Sequence, residues 1–184
     1  SEMFGTSVDA DGVQRETTAM LPASPYGCAK LFAYHSARTY RDSYNLFISN
    51  GILFNHESPR RGSNFVTTKV VKEALRIFSG VSKELRLGNL NSFRDWGHSR
   101  DYVKAMYLIS ELDEPSDLVI STGETRSIAD LCNLVFSRLG MDWREFVISD
   151  ERFMRPKEVP FLRGDSKKAR SILAWKPEIT FENL

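Results

Sequence analysis

The stretch Ser24-Pro25-Tyr26-Gly27-Cys28-Ala29-Lys30 decides how this chain is read. Ser24 can cap a helix with its hydroxyl, and Pro25 suits the first helical position, where a missing N–H costs nothing. The helix so opened places Tyr26 and Lys30 on one face, side by side. Both lie near its positive end and point at whatever lies beyond. A cation beside a phenol favours phenolate, so such a pair can move a proton to or from an alcohol near neutral pH. The spacing alone is weak, because Tyr-x-x-x-Lys arises by chance in many sequences, and a packed tyrosine with a solvated hydroxyl is the bland alternative.

Downstream, the helix is expected to span about 25–43, with Ala29, Ala33, Ala37 and Tyr40 on its packed stripe and Arg38, Arg41 and Asp42 outward. Asn45 suits a left-handed stop. Leu46-Phe47-Ile48 and Ile52-Leu53-Phe54 then read as a strand buried on both faces. Helix followed by buried strand is the α/β pattern. The polar run 55–64 follows that strand directly, where open parallel sheets bind ligands, although a surface turn is the plain alternative. An amphipathic helix is expected over about 65–79, with Val66, Val70, Ala74, Ile77 and Phe78 inward. Next come a short strand at Leu85-Arg86-Leu87-Gly88 and a polar loop over 91–98. A helix over about 99–112 holds Tyr102, Val103, Met106 and Ile109, and Leu118-Val119-Ile120-Ser121 is a buried strand. Ser127 caps a further helix through Leu139, stopped by Gly140. The last part reads as a strand at Phe146-Val147-Ile148, a loop over 152–160 and a short helix over 167–173.

Upstream, Ser1-Glu2-Met3-Phe4-Gly5 reads as the tail of a strand, and 6–23 as an ordered, turn-rich loop able to cover a site. The start without methionine suggests an incomplete chain. Composition bounds the rest. A chain of 184 residues with 41% hydrophobic residues can bury one ordinary core. A net charge of +1, with both signs mixed along the chain, leaves no broad cationic face for nucleic acid or anionic membrane. Cys28 and Cys132 are expected to be small buried apolar residues in a reducing, cytoplasmic compartment. No long apolar run is present, and His35, His56 and His98 lack metal-ligand spacing with cysteines or carboxylates.

Several motifs in order carry a resemblance. They are Ser1-Glu2, Ser24-Pro25-Tyr26-x-x-x-Lys30, the run Asn50-Gly51-Ile52-Leu53-Phe54-Asn55-His56-Glu57-Ser58-Pro59-Arg60-Arg61-Gly62, Leu87-Gly88-Asn89 and Arg94-Asp95-Trp96-Gly97-His98. Arg155-Pro156-x-Glu158-Val159 and Leu173-x-Trp175-Lys176-Pro177 follow. Over essentially its whole length the chain resembles the GDP-mannose 4,6-dehydratase family of extended short-chain dehydrogenase/reductases. The resemblance implies an α/β fold: the C-terminal part of a Rossmann domain plus a smaller α/β substrate-binding domain, with the N-terminal Rossmann half and its glycine-rich turn absent. In these terms 1–54 closes the Rossmann domain with the active-site helix. Residues 55–184 mainly bind nucleotide sugar, and 94–122 return to the Rossmann part.

The implied activity is dehydration of GDP-mannose to GDP-4-keto-6-deoxymannose with NADP, on the way to GDP-fucose. The sugar is oxidised at carbon 4, loses water across carbons 5 and 6, and is reduced at carbon 6 by the same hydride. By resemblance, Tyr26 is the base for the 4-hydroxyl, Lys30 assists it and bonds the nicotinamide ribose, and Glu2 takes the proton from carbon 5. Tyr26, Lys30, His56 and Arg61 resemble the cofactor contacts. Asn55, Lys69, Arg94, Arg155 and Glu158 match positions that hold GDP-mannose, and Arg60 is expected to serve a subunit interface instead, in a homo-tetramer or dimer. The isolated chain is expected to be inactive and to bind NADP poorly. Two rivals stay open: another nucleotide-sugar epimerase or reductase, which shares Tyr26 and Lys30 but needs no base at carbon 5, and a non-catalytic fragment that binds nucleotide sugar or assembles with a partner.

Overall fold

The computed structural model describes residues 1–154 and 157–184. Helix α1, Pro25–Tyr44, starts where local chemistry dictates: the Ser24 hydroxyl accepts from Gly27 N, and Pro25 occupies the first turn. It ends at Asn45, which takes the left-handed conformation at φ 50°. The chain then runs through β1 (Gly51–Leu53) and β2 (Asn55–Glu57), which pair with different partners. β1 lies parallel to β6 (Leu118–Ile120), and β2 lies parallel to β5 (Trp96–His98). Thus Phe54 marks the point at which one extended segment passes from one strand pair to the other.

Beyond it come α2 (Val66–Phe78), β3 (Leu85–Leu87), β4 (Phe93–Arg94), α3 (Ser99–Ser110), β7 (Arg126–Ser127), α4 (Ile128–Arg138), β8 (Val147–Ser149) and α5 (Lys167–Leu173). β3 and β8 pair parallel, and β4 and β7 antiparallel. Three apolar clusters hold these elements together. Val70, Ala74 and Ile77 of α2 meet Leu131, Cys132 and Phe136 of α4 over Leu85, Leu87, Trp96 and Val147. Met3, Phe4, Tyr34, Ile52, Phe54, Val119, Val159 and Leu162 form the second cluster, and Tyr102, Ile109, Leu118, Ile120, Leu173 and Trp175 belong to the third. Sequence-distant segments meet in each, so burial of apolar surface fixes the relation between elements that no short loop could set.

The structure corrects several expectations. Residues Glu2–Phe4 form a 3-10 turn and not a strand tail, because Gly5 turns the chain away at φ 58° so closely that a Cβ there would lie 1.9 Å from the Leu21 carbonyl oxygen. The packed side of α1 is Gly27 and Tyr34, whereas Ala29, Ala33 and Tyr40 are exposed. Arg41 does not point outward: it grips Asp117 at 2.9 and 3.2 Å and thereby ties α1 to the start of β6. Leu46 and Phe47 are exposed and unpaired among the described residues, because a strand needs a neighbour and β6 reaches only Gly51–Leu53. Phe78, Val103 and Met106 are exposed, as is Cys28, while Cys132 is buried. The polar stretch 91–98 supplies β4 and β5 where a loop was expected. Among the described residues no helix is long and apolar enough to cross a membrane.

Candidate active site

A cleft of about 1310 Å³ opens between the N-terminal end of α1 and the elements around α2. Glu2, Tyr26, Lys30, Asn55, His56, Arg61, Lys69, Arg94 and Glu158 all line it. Residues separated by more than a hundred positions are therefore brought to one wall. Arg155 lies outside the described residues.

The reacting end is built on α1. The Ser24 hydroxyl accepts from Gly27 N at 3.0 Å and donates to Glu2 Oε2 at 2.8 Å, so the residue that caps the helix also holds the carboxylate. Gly27 makes the approach possible: a Cβ there would lie 2.8 Å from Glu2 O and 3.0 Å from Pro22 Cβ. One turn along, Lys30 Nζ sits 5.7 Å from the centre of the Tyr26 ring, and the Tyr26 side is 60% exposed to the cleft and solvent. A carboxylate, a phenol and an ammonium thus share one helix end, a set able to move protons at a hydroxyl and at a neighbouring acidic carbon.

β2 supplies the second group. His56 Nδ1 lies 2.9 Å from Phe54 O, and its ring packs 5.0 Å from Tyr102. A carbonyl only accepts, so Nδ1 carries the proton of this contact. The next residue, Glu57, is 5% exposed and accepts from Thr67 Oγ1 at 2.7 Å. Burial pushes its carboxyl above the ordinary carboxylate range, against the opposing pull of Thr67, Arg61 and His56. Arg61 Nε is 3.1 Å from Glu57 Oε2, and the guanidinium lies 3.6 Å from the centre of the Phe65 ring.

The far wall carries the remaining cations. Lys69 Nζ donates to Arg86 O at 2.7 Å and sits 4.5 Å over the Phe153 ring. Arg94 donates to Phe93 O at 2.8 Å and stands 3.6 Å from Glu158 Oε1, which also accepts from Ser92 Oγ at 2.7 Å. Lys30, Arg61, Lys69 and Arg94 give the cleft the donor set that phosphate oxygens require, and Glu158 and Asn55 can bond hydroxyls. Among the described residues no group of His, Cys, Asp or Glu could hold a metal ion.

Sequence reasoning missed Glu57, Thr67, Ser92 and Asp95. Glu57 stood inside a quoted motif, and its spacing from Arg61 was visible, but nothing local said that both would turn to one side of a strand end. Asp95 is fully buried between two cleft residues and accepts from Thr122 N, Thr122 Oγ1, Gly123 N and Gly164 N. Arg60 is exposed, its N–H bonded to Ser58 Oγ.

Known proteins place this geometry in a family. The family model described as GDP-mannose 4,6 dehydratase matches residues 1–184. GDP-mannose 4,6 dehydratase 2 of Arabidopsis thaliana is 46% identical over the whole chain, which covers 48% of that protein. GDP-mannose 4,6 dehydratase of Homo sapiens is 44% identical over the whole chain, which covers 54% of it. The chain therefore spans about half the length of these relatives. Among solved structures, RMD from Pseudomonas aeruginosa complexed with NADPH superposes on the whole chain with a TM-score of 0.88 at 20% identity, over 60% of its own length. The dTDP-glucose 4,6-dehydratase of Bacillus anthracis in complex with NAD gives 0.84 at 22% identity, over 56% of its length. At such identities these two establish the fold alone. The family-model match over every residue, with the two relatives above two-fifths identical, decides the assignment: this chain is a member of the GDP-mannose 4,6-dehydratase family.

Proposed function

We propose that the protein carrying this chain converts GDP-mannose to GDP-4-keto-6-deoxymannose and water, using NADP. The observation that carries the reading is the Ser24 hydroxyl joined to Glu2, on the helix end that bears Tyr26 and Lys30, facing a cleft lined by separate cations. A C4 epimerase or a reductase shares the tyrosine and lysine but has no use for a carboxylate base at carbon 5.

The residues fit the cofactor: Arg61 Nε is buried without a hydrogen-bond partner beside its carboxylate, and the His56 ring, fixed by its Nδ1 contact with Phe54 O, lines the same cleft. Tyr26, Lys30, His56 and Arg61 would hold the dinucleotide. When bound, it accepts the hydride of carbon 4 and later returns it to carbon 6. Tyr26 takes the proton of the 4-hydroxyl, with the Lys30 ammonium stabilising the phenolate. Once carbon 4 is a ketone, its neighbour at carbon 5 is acidic, and the Glu2 carboxylate takes that proton. The C6–O bond then breaks, the proton on Glu2 completes the departing water, and hydride addition at carbon 6 is completed by a proton from solvent that Glu2 relays to carbon 5. Lys69 and Arg94 face the diphosphate, and Glu158, held by Ser92, accepts from ribose hydroxyls. The compartment we infer is cytoplasmic, in keeping with two free cysteines, and the assembly a homo-tetramer or dimer with the exposed Arg60 at an interface.

The test separates the steps. Tyr26→Phe lowers oxidation by about 10²- to 10⁴-fold, the range for a positioned acid–base group. Glu2→Gln spares carbon-4 oxidation and stops elimination, read as loss of solvent deuterium entry at carbon 5. Deuterium entering at the normal rate in that variant would remove Glu2 from the mechanism, and product that keeps its 6-hydroxyl would replace dehydration by epimerisation or reduction.

A further inference from the structure

Arg61 is held far more tightly than a loop arginine normally is. Its N–H donates to Ser58 O at 2.9 Å, and its carbonyl accepts from Thr68 Oγ1 at 3.2 Å. Its guanidinium carbon lies 3.6 Å from the centre of the Phe65 ring, and its Nε is 3.1 Å from Glu57 Oε2. The same Oε2 accepts from Thr67 Oγ1 at 2.7 Å. Glu57 is itself anchored, since Ser99 Oγ donates to its backbone carbonyl at 3.1 Å and β2 pairs it with His98. An arginine side chain left to solvent must lose roughly 2 kcal/mol of rotamer entropy on gripping a ligand. Here that loss has already occurred on folding.

From this arrangement we propose that Glu57 and Thr67 are positioning residues that act through Arg61. The buried carboxylate, pinned by the threonine, holds the Nε side of the guanidinium by charge and not by a hydrogen bond, and Phe65 covers the guanidinium. The Nη edge is left as a pre-set fork for a phosphate oxygen of the nicotinamide dinucleotide. Burial is unfavourable for the Glu57 carboxylate, and Thr67 and the Arg61 cation offset that cost only in part. That cost makes sense if the charge is kept to aim Arg61. The inference rests on the proposed role of Arg61 as a cofactor contact.

The experiment is a double-mutant cycle in the protein carrying this chain, read by NADPH fluorescence titration and by steady-state kinetics. Glu57→Gln removes the negative charge facing Arg61 while its amide oxygen can keep the place of Oε2 against Thr67. Thr67→Val removes the hydroxyl, and Thr67→Ser restores it. Glu57→Gln and Thr67→Val are each expected to weaken NADPH binding about ten- to a hundredfold, the range for losing the partner that orients a ligating group. The kcat at saturating NADP should change less than the affinity for NADPH, Thr67→Val should lower the melting temperature because it leaves the buried carboxylate one donor short, and Thr67→Ser should bind within about twofold of wild type and restore the melting temperature. In an Arg61→Ala background, Glu57→Gln should have no further effect on binding. Additive losses in the double variant, or a Thr67→Ser variant as weak as Thr67→Val, would overturn the positioning role while leaving Arg61 as a contact. Unchanged NADPH binding in Arg61→Ala alone would overturn both.

Discussion

Replacing Asp95 by asparagine should damage this protein more than its conservative appearance suggests. The side chain is fully buried. Oδ1 accepts from Thr122 N at 2.9 Å and Thr122 Oγ1 at 2.7 Å, and Oδ2 accepts from Gly123 N at 3.0 Å and Gly164 N at 3.2 Å. Burial pushes the carboxyl above its ordinary range, and these donors pull against that rise. An asparagine has one acceptor oxygen and one donor nitrogen. If the nitrogen faces Gly123 and Gly164, two backbone N–H groups lose their acceptor. If it faces Thr122, one N–H does, because the threonine hydroxyl can turn fully to Glu124 O, already 3.2 Å away. Each orphaned donor costs about 1–3 kcal/mol, so the amide should destabilise by about 1–3 kcal/mol in its better flip.

Alanine orphans three N–H groups at once and leaves a hole, for about 3 kcal/mol at least, a large share of a typical 5–15 kcal/mol stability. The effect should also reach the cleft, because Asp95 stands between Arg94 and Trp96, both of which line it. Urea titration of wild type, Asp95→Asn and Asp95→Ala measures the order, and the KM for the proposed substrate, GDP-mannose, measures the displacement of Arg94. An alanine variant as stable as the asparagine one would refute the reasoning, because the number of lost acceptors would then not set the loss.

Two further expectations are local to α1. Gly27→Ala puts a methyl 2.8 Å from Glu2 O, so it should destabilise by about 1–3 kcal/mol and slow elimination more than carbon-4 oxidation; equal slowing of both steps would show that Glu2 had not moved. Burial alone would push the Asp117 carboxyl up, but Arg41 and both Asn50 donors outweigh it and hold it below its ordinary value of 3.8. A depressed folded pKa contributes stability above the ordinary value that is lost as pH falls through the folded one. Asp117→Asn should therefore be less stable than wild type at neutral pH, with the gap closing below about pH 4; a gap constant down to pH 2.5 in urea titrations would count against the ion pair.

What the sequence showed, and what it hid, divides by the range of the interactions responsible. The ends of α1 were legible because Ser24, Pro25 and Asn45 act on backbone groups within a few residues of themselves. So were α5 and the Ser127 cap of α4, where Asp130 completes a reciprocal pair of bonds. Periodicity told which residues of α1 share a face but not which face is covered, and that choice fell to Gly27 because Glu2 needs the room.

The stretch 91–98 looked like a loop because its composition is polar. It became two short strands because Asp95 collects donors from residues 122, 123 and 164, none of which its neighbours announce. The site was legible only as motif letters. Tyr26 and Lys30 are placed by one helix, but Glu2 reaches them through the Gly5 turn and the Ser24 hydroxyl, and Glu158 reaches Arg94 through Ser92. The residues missed, Glu57, Thr67, Ser92 and Asp95, share one property. Each bonds another side chain or a distant N–H and fixes where a recognised residue can stand, so its role exists only in three dimensions. A search for such residues should begin from buried polar groups on the walls of a cleft, because burial without a partner is costly and each partner found there is a candidate for having been placed.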